Sequence, residues 1–316
     1  MANTNAVPPN IWAVVVTYFP DLPHLERLFV TLENQGLNVV IVDNESTVPA
    51  DWIQHVQTLP RQRTQHWIRN ARNLGIGAAQ NQGLQHALAA GAEYVTLLDQ
   101  DSLPGEAMFE RLVDAWLSLT RDGHRVFAVG PRLIDAKNGG TVPFIAYRLG
   151  IKRRIFAAAG DAAVECFALL ASGTTVHRDT LREVGDLDES MFLEYVDIEW
   201  GARARDRGLR SFGIPGATLH HHLGDARIKI WGRLHLPLHS PLRHYYTFRN
   251  AIRMQRLRHV PWYWKASDLL RCLATAPLFI AFSGNASEQT RMILKGAWHG
   301  IAGRSGPLST DAPRDD

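Results

Sequence analysis

At 316 residues, 46% of them hydrophobic and 21% charged, the chain has the make-up of an ordinary folded protein, and collagen-like, coiled-coil and wholly disordered readings are excluded. The formal net charge of +3 is spread unevenly: residues 225–304 hold 13 Lys/Arg against 3 Asp/Glu, which points to an anionic partner for that third, either a membrane surface or a nucleic acid. Two cysteines, Cys166 and Cys272, allow neither a disulfide framework nor a cysteine zinc site, and the opening MANTNAVPPN has no Lys or Arg ahead of a short apolar run, so a reducing cytosol is the expected compartment.

Residues 11–17 (IWAVVVT) form a continuous β-branched run of the kind buried on both faces of a parallel sheet, and an amphipathic helix through Leu25, Leu28, Phe29 and Leu32 follows. Residues 39–42 repeat the strand and end in the polar Asp43-Asn-Glu-Ser. A weaker strand at 66–69 leads through Asn70-Ala-Arg-Asn-Leu-Gly-Ile-Gly77 into a helix over 78–90, and residues 93–98 make a fourth strand that ends in Asp99-Gln-Asp101. Strands that each finish in a polar cluster predict a βαβ sheet whose carboxyl edge holds the site. Beyond it the pattern predicts a strand at 126–129, an apolar strand-like run over 166–177 broken at Ser172-Gly173, helices over 180–184 and 198–208, and a strand at 210–212; residues 139–160 carry no assignable pattern. From Pro241 the sequence turns aromatic, arginine-rich and helical, and residues 303–316 read as a polar, frayed tail. The division expected is a catalytic unit over 1–240 (nucleotide part about 11–135, acceptor part about 136–240), a basic aromatic helical extension over 241–303, and a tail over 304–316.

Asp99 and Asp101 stand at i and i+2 straight after an apolar strand, where hard oxygen ligands can share a Mg²⁺ or Mn²⁺ that also holds a diphosphate. A turn with a helix-capping Asp ahead of Pro104 is the plainer reading of the same residues, and delivery by a strand favours the metal. Gly75-Ile-Gly77 lets phosphate oxygens approach backbone N–H groups, but Gln80 replaces the third glycine of a dinucleotide fingerprint, which speaks against a dehydrogenase. In Phe192-Leu-Glu-Tyr-Val-Asp-Ile-Glu-Trp200 the carboxylates Glu194, Asp197 and Glu199 lie among apolar neighbours. A helix start accounts for two of them, and partial burial fits a general base. Arg203, Arg205 and Arg207 fit a solvated face. His220, His221 and His222 cannot all point one way in an extended segment, so at most two face one site.

Taken in order, Val14-Val-Val-Thr-Tyr18, Val42-Asp-Asn44, Asn73-Leu-Gly75, Asn81, Asp99-Gln-Asp101, Ser172-Gly173, Asp197-Ile-Glu199-Trp200, His221-His222-Leu-Gly224 and Tyr245-Tyr246-Thr-Phe-Arg249-Asn250 make the chain resemble glycosyltransferase family 2, and within it the bacterial rhamnosyltransferases that use dTDP-L-rhamnose in rhamnolipid or O-antigen synthesis. The resemblance spans about residues 11–305. It implies an α/β GT-A fold, a Rossmann-like αβα nucleotide-binding sheet, with a divalent metal, Mg²⁺ or Mn²⁺, and inversion at the anomeric carbon. Carried over by residue, Thr17, Tyr18 and Asp43 would hold the nucleoside. Asn73, Gly75, Asn81, Asp99 and Arg249 would line the rest of the nucleotide-sugar site, Asp101 and His221 would bind the metal, and Asp197 would be the base. The position where the family has a further Asp, three before the base, holds Glu194.

The implied donor is dTDP-L-rhamnose and the implied acceptor an amphiphilic or lipid-linked sugar. A UDP- or GDP-sugar donor is the alternative within the family, and a basic nucleic-acid-binding module the alternative outside enzymes. The cations and aromatics of residues 253–265, with the apolar stretch 269–282, are too short to cross a bilayer and predict a peripheral contact with the inner face of the cytoplasmic membrane.

Overall fold

A computed structural model of the chain describes residues 10–46, 49, 64–136, 139–221, 226–231 and 234–308, with backbone alone over 226–231 and 234–238. His222 and Gly224 lie outside the described residues, as does the tail from residue 309. The first half alternates as the pattern predicts: β1 (Ile11–Thr17), α1 (Leu22–Asn34), β2 (Asn38–Asn44), β3 (Gln65–Asn70), α2 (Ile76–Ala89), β4 (Tyr94–Asp99), the short β5 (Ser102–Pro104) and α3 (Met108–Arg121). Period two along β1 feeds two cores. Trp12, Val14 and Val16 pack with Ala79 and Leu84 of α2, while Ala13 and Val15 pack with Leu25 and Leu28 of α1 and Phe109 of α3. Gly83 lets α2 close on the sheet, because a Cβ there would stand 2.2 Å from a Val14 methyl.

The second half adds β6 (Val126–Asp135), β7 (Phe144–Arg148), β8 (Ile151–Ile155), β9 (Val164–Cys166), β10 (Thr175–His177), α4 (Arg178–Val184), α5 (Val196–Asp206) and β11 (Arg210–His221). The main sheet runs β3-β2-β1-β4-β10-β6-β11-β5, with β9 on β11. β1 to β4 are mutually parallel, and β10 enters antiparallel between β4 and β6. The carboxyl ends of β1, β2 and β4 therefore share one edge, the place where ligands gather in open α/β sheets. Two strands, β12 (Ala226–Trp231) and β13 (Leu234–Leu238), pair apart from it.

Three expectations change. The run 166–177 is not one strand: it contributes the last residue of β9 and the whole of β10, and the loop between them turns at Ser172-Gly173. Residues 144–155, which lacked a pattern, are the hairpin β7–β8, its tip Leu149-Gly150 taking positive φ at both residues, as tight hairpins require. Residues 304–308 are not frayed, since Gly306 N donates to Ser190 O at 3.0 Å and Leu308 N to Tyr246 Oη at 2.8 Å.

The extension is α6 (Pro241–Arg256), α7 (Trp262–Phe282) and α8 (Ala286–Ile301). Ser240 Oγ caps α6 by accepting from Arg243 N at 3.3 Å, with Pro241 opening the helix. Phe248, Ala251, Met254, Trp264 and Phe279 join the same core as Trp12 and Val14, so the extension is part of the catalytic body's packing. Of the cations in this stretch, Arg253 Nη2 donates to Ser190 Oγ at 2.5 Å and the exposed Arg256 donates through Nη2 to Ile301 O at 2.7 Å.

Candidate functional site

The carboxyl edge opens with β1 and β2. Thr17 Oγ1 donates to Asp43 Oδ1 at 3.2 Å, Ser46 N donates to the same oxygen, and Arg69 Nε stands 3.8 Å from Asp43 Oδ2, so Asp43 is fixed although 2% exposed. Tyr18 is clamped by its backbone, its N–H donating to Gln100 Oε1 at 2.7 Å and its carbonyl accepting from Gln100 Nε2 at 3.1 Å; its ring stays open to solvent. The loop into α2 is fastened through Asn73, whose Oδ1 accepts from Asn44 Nδ2 and from Gly75 N, both at 2.9 Å. Gly75 sits at φ +88°, and a Cβ there would meet Phe192 O at 2.6 Å, so only glycine fits.

Strand pairing brings the metal candidates together. β4 delivers Asp99, the next two residues turn, and Ser102 of β5 pairs with His221 at the end of β11. His221 Nδ1 lies 3.1 Å from Asp101 Oδ1 and Nε2 lies 3.8 Å from Asp99 Oδ2. One ligand atom from each of the three falls within 4.8 Å of the others. His220 alternates to the exposed side, so between the two described histidines the strand period selects His221. Burial pulls the His221 imidazole down, but the hydrogen bond and charge of Asp101, with Asp99 behind, outweigh it and hold it above its ordinary value. Burial likewise lifts the Asp99 carboxyl, against the pull of His221. Two carboxylates and an imidazole are a donor set suited to Mn²⁺ or Mg²⁺.

Asp197 opens α5. Its Oδ1 accepts from Ile198 N at 2.8 Å and its Oδ2 from Ala171 N at 3.3 Å, while Phe127, Leu169 and Trp200 line a small apolar cavity against it. Burial lifts its pKa to about 6; the Ile198 N–H pulls down and the Glu194 charge pushes up. Of the three carboxylates in this segment only Asp197 is left to backbone donors. Glu194 takes Arg243 at 2.6 Å, and the buried Glu199 takes Arg203 at 2.8 Å and His259 at 2.9 Å. The expected solvated face of arginines is thus partly spent, Arg205 also pairing with Glu165.

The segment before Asp197 is strained: Phe192, Glu194 and Tyr195 all have φ between 62 and 67°. Its carbonyls explain the late Arg249-Asn250. Asn250 Nδ2 donates to the carbonyls of Met191, Leu193 and Glu194 at 2.9, 2.6 and 2.9 Å, and Arg249 donates to Met191 O at 2.7 Å and Gly306 O at 2.5 Å. This corrects the expectation for Arg249, which is 0% exposed, stacks on the Tyr246 ring and braces the loop rather than meeting a nucleotide. Asn81 is corrected in the same way. Its carboxamide bonds Leu187 N and O, both at 3.0 Å, and Glu189 Oε1 at 2.9 Å, leaving nothing for a ligand.

One loop joins the two clusters. Ala171 N donates to Asp197, and the next side chain, Ser172, meets Ser102 Oγ at 2.5 Å and accepts from Asp99 N at 3.5 Å. The structure therefore gathers Thr17, Tyr18, Asp43, Asn73, Gly75, Asp99, Asp101, Asp197 and His221 along one edge, and leaves out Asn81 and Arg249. Sequence reasoning missed Gln100, Ser102 and Asn250 as positioning groups. Gln100 lay inside the Asp-Gln-Asp triplet and Asn250 inside a quoted motif, but their partners are distant in sequence.

A nucleotide-type parallel half-sheet carrying an acidic cluster able to hold a cation, with an isolated carboxylate across one loop, is the arrangement of a GT-A glycosyltransferase. GalNAc-T7 with UDP, GalNAc and Mn²⁺ shares the fold at TM-score 0.59 and 13% identity, over 93% of this chain and 56% of that one. The mannosyltransferase PcManGT of Pyrobaculum calidifontis, in complex with GDP-Man and Mn²⁺, does so at 0.55 and 16%, over 94% and 88%. Residues 13–169 match the model of glycosyl transferase family 2. The chain is 32% identical over 299 residues to dTDP-rhamnosyl transferase RfbF of Shigella flexneri, covering 94% of this chain and 97% of that protein. It is 26% identical over 250 residues to galactofuranosyltransferase GlfT1 of Mycobacterium tuberculosis H37Rv, covering 76% and 80%. The chain belongs to glycosyltransferase family 2.

Proposed function

We propose that the chain is an inverting rhamnosyltransferase that moves L-rhamnose from dTDP-L-rhamnose to a hydroxyl of an amphiphilic or lipid-linked saccharide at the inner face of the cytoplasmic membrane. The observation that carries the chemistry is the adjacency of Ala171 and Ser172, which ties the Asp197 carboxylate to the Asp99, Asp101 and His221 cluster. The near full-length likeness to a dTDP-rhamnosyl transferase supports the choice of donor.

Asp197 takes the acceptor hydroxyl proton as that oxygen bonds the anomeric carbon. The bond from that carbon to the diphosphate oxygen breaks with its electrons going to dTDP, which leaves from the opposite face. A carboxyl near 6 is suited to this: it is charged at neutral pH and still basic enough to accept a proton. Asp101 and His221, with Asp99 beside them, would hold a Mg²⁺ or Mn²⁺, which when bound offsets the charge on the departing diphosphate. Thr17, Tyr18 and Asp43 would position the nucleoside, and Asn73 and Gly75 the ribose and diphosphate.

The nucleic-acid reading loses its support. Arg243, Arg249, Arg253, Arg256 and Arg271 all spend guanidinium donors on protein atoms. The test is incubation of the protein and Mn²⁺ or Mg²⁺ with dTDP-rhamnose, UDP-sugars and GDP-sugars and a panel of lipid-linked and soluble saccharides, read by mass spectrometry. A product that gains one deoxyhexose from dTDP-rhamnose alone is expected, and transfer from a UDP- or GDP-sugar instead would replace the donor.

A further inference from the structure

α7 is inverted relative to an ordinary surface helix. Its inward side carries charge: Asp268, 7% exposed, accepts from Tyr195 Oη at 2.8 Å and from Arg271 Nε at 2.9 Å, and Arg271 also donates to Tyr195. Its outward side is bare of charge. Every exposed position along its 21 residues is apolar, with Trp262, Leu270 and Leu273 at 78, 67 and 65% exposure and Leu269 and Phe282 beside them. A lone exposed leucine needs no explanation, but a helix that buries its aspartate and presents its leucines does.

The hairpin β7–β8 extends this face. Gly150 at its tip lies against Tyr263, and Leu149 and Ile151 on either side are exposed, Leu149 at 95%. Directly behind the tip, β8 presents Lys152, Arg153 and Arg154, all exposed and none in a salt bridge among the described residues. Arg271 and Arg154 act electrostatically on Lys152, so these cations crowd one another.

From these observations we infer that the outward face of α7 and the β7–β8 tip form one docking surface for an anionic phospholipid bilayer, the apolar side chains entering the interface and Lys152, Arg153 and Arg154 meeting headgroup phosphates. A second copy of the chain is the poorer occupant, because a self-interface would set this cationic rim against itself. Among the described residues no helix is long and apolar enough to cross a membrane, so the contact is one of lying on the surface. The inference deepens the proposed acceptor class and rests on it only for its purpose. It narrows the expected contact over 253–282 to the outward face of α7 and adds the tip and cations of β7–β8.

Cosedimentation with vesicles of phosphatidylcholine, with and without phosphatidylglycerol, tests it. The full chain should bind the phosphatidylglycerol vesicles and be released by salt. Leu270→Ser with Leu273→Ser should lower the bound fraction about tenfold. Lys152→Ala with Arg153→Ala and Arg154→Ala should erase the preference for phosphatidylglycerol. All these side chains are exposed, and thermal melts matching the parent check that the variants fold. The surface is overturned if the parent stays in the supernatant, if correctly melting variants bind as the parent does, or if the leucine pair converts a dimer to a monomer without vesicles. No sugar nucleotide enters the assay, so its failure leaves the donor reading standing.

Discussion

As the proposed base, Asp197 would serve the reaction at the expense of the fold. Its carboxyl is raised above the ordinary value to about 6, so the native state holds the proton more tightly than the unfolded chain, and stability falls as pH rises through that window. Asp197→Asn removes the cost. It should melt higher than the parent at about pH 8, by an upper bound of roughly 3 kcal/mol, and the difference should vanish near pH 4. The same substitution should lower kcat about 100-fold or more with donor affinity retained, because the amide keeps the shape and cannot take the proton. In the parent, kcat/KM should fall as pH drops through about 6, and the residual activity of the variant should lack that limb. Asp101→Ala and His221→Ala should each abolish Mn²⁺-dependent binding of dTDP in calorimetry, since each removes a ligand from a three-residue set; metal dependence that survives in both would remove the cluster from the mechanism.

At the scale of elements, the loop over 191–195 and the helix α6 act together. Positive φ at three non-glycine residues costs on the order of 1–3 kcal/mol each, and the loop keeps that shape because Asn250 collects three of its carbonyls. Asn250→Ala should therefore lower kcat about tenfold or more while leaving dTDP affinity within about twofold; equal loss of both would mean that it acts only on folding. The strands β1, β2 and β4 were legible because both their faces are buried, which writes itself into the chain as near-continuous apolar runs. The pairing of Asp99 with Asp101 was legible because a strand end places the two carboxylates locally, whereas His221 joins them only through the pairing of β5 with β11. The brace was not, as Asn250 lies 56 to 59 residues from the carbonyls it holds and nothing local marks a non-glycine left-handed turn. The hairpin β7–β8 was hidden for another reason: β8 is exposed at four successive residues, so no alternation records which side faces in.

For the molecule as a whole, the residues after α8 close the structure. Arg249 reaches Gly306 O, and Leu308 N reaches Tyr246, so truncation after Arg304 should expose the buried guanidinium and lower the melting temperature by several degrees, as expected for a loss of about 1–3 kcal/mol. A truncated chain that melts with the parent would make these contacts incidental. The meeting of Gly75 with Phe192, where Ile76 N donates to Phe192 O at 2.7 Å, bears on how such enzymes can be recombined. Family 2 matching stops at residue 169, which invites grafting a new donor module onto an old acceptor module at that seam. The seam runs through the wrong place. Gly75 and Asn81 before that seam are moulded around Phe192, Leu187 and Glu189 after it, so a graft that exchanges one side without the other inherits a mismatched joint. A chimera that takes Gly75, Asn81, residues 187–195 and the α6 brace from one parent is the more promising route to a new sugar specificity.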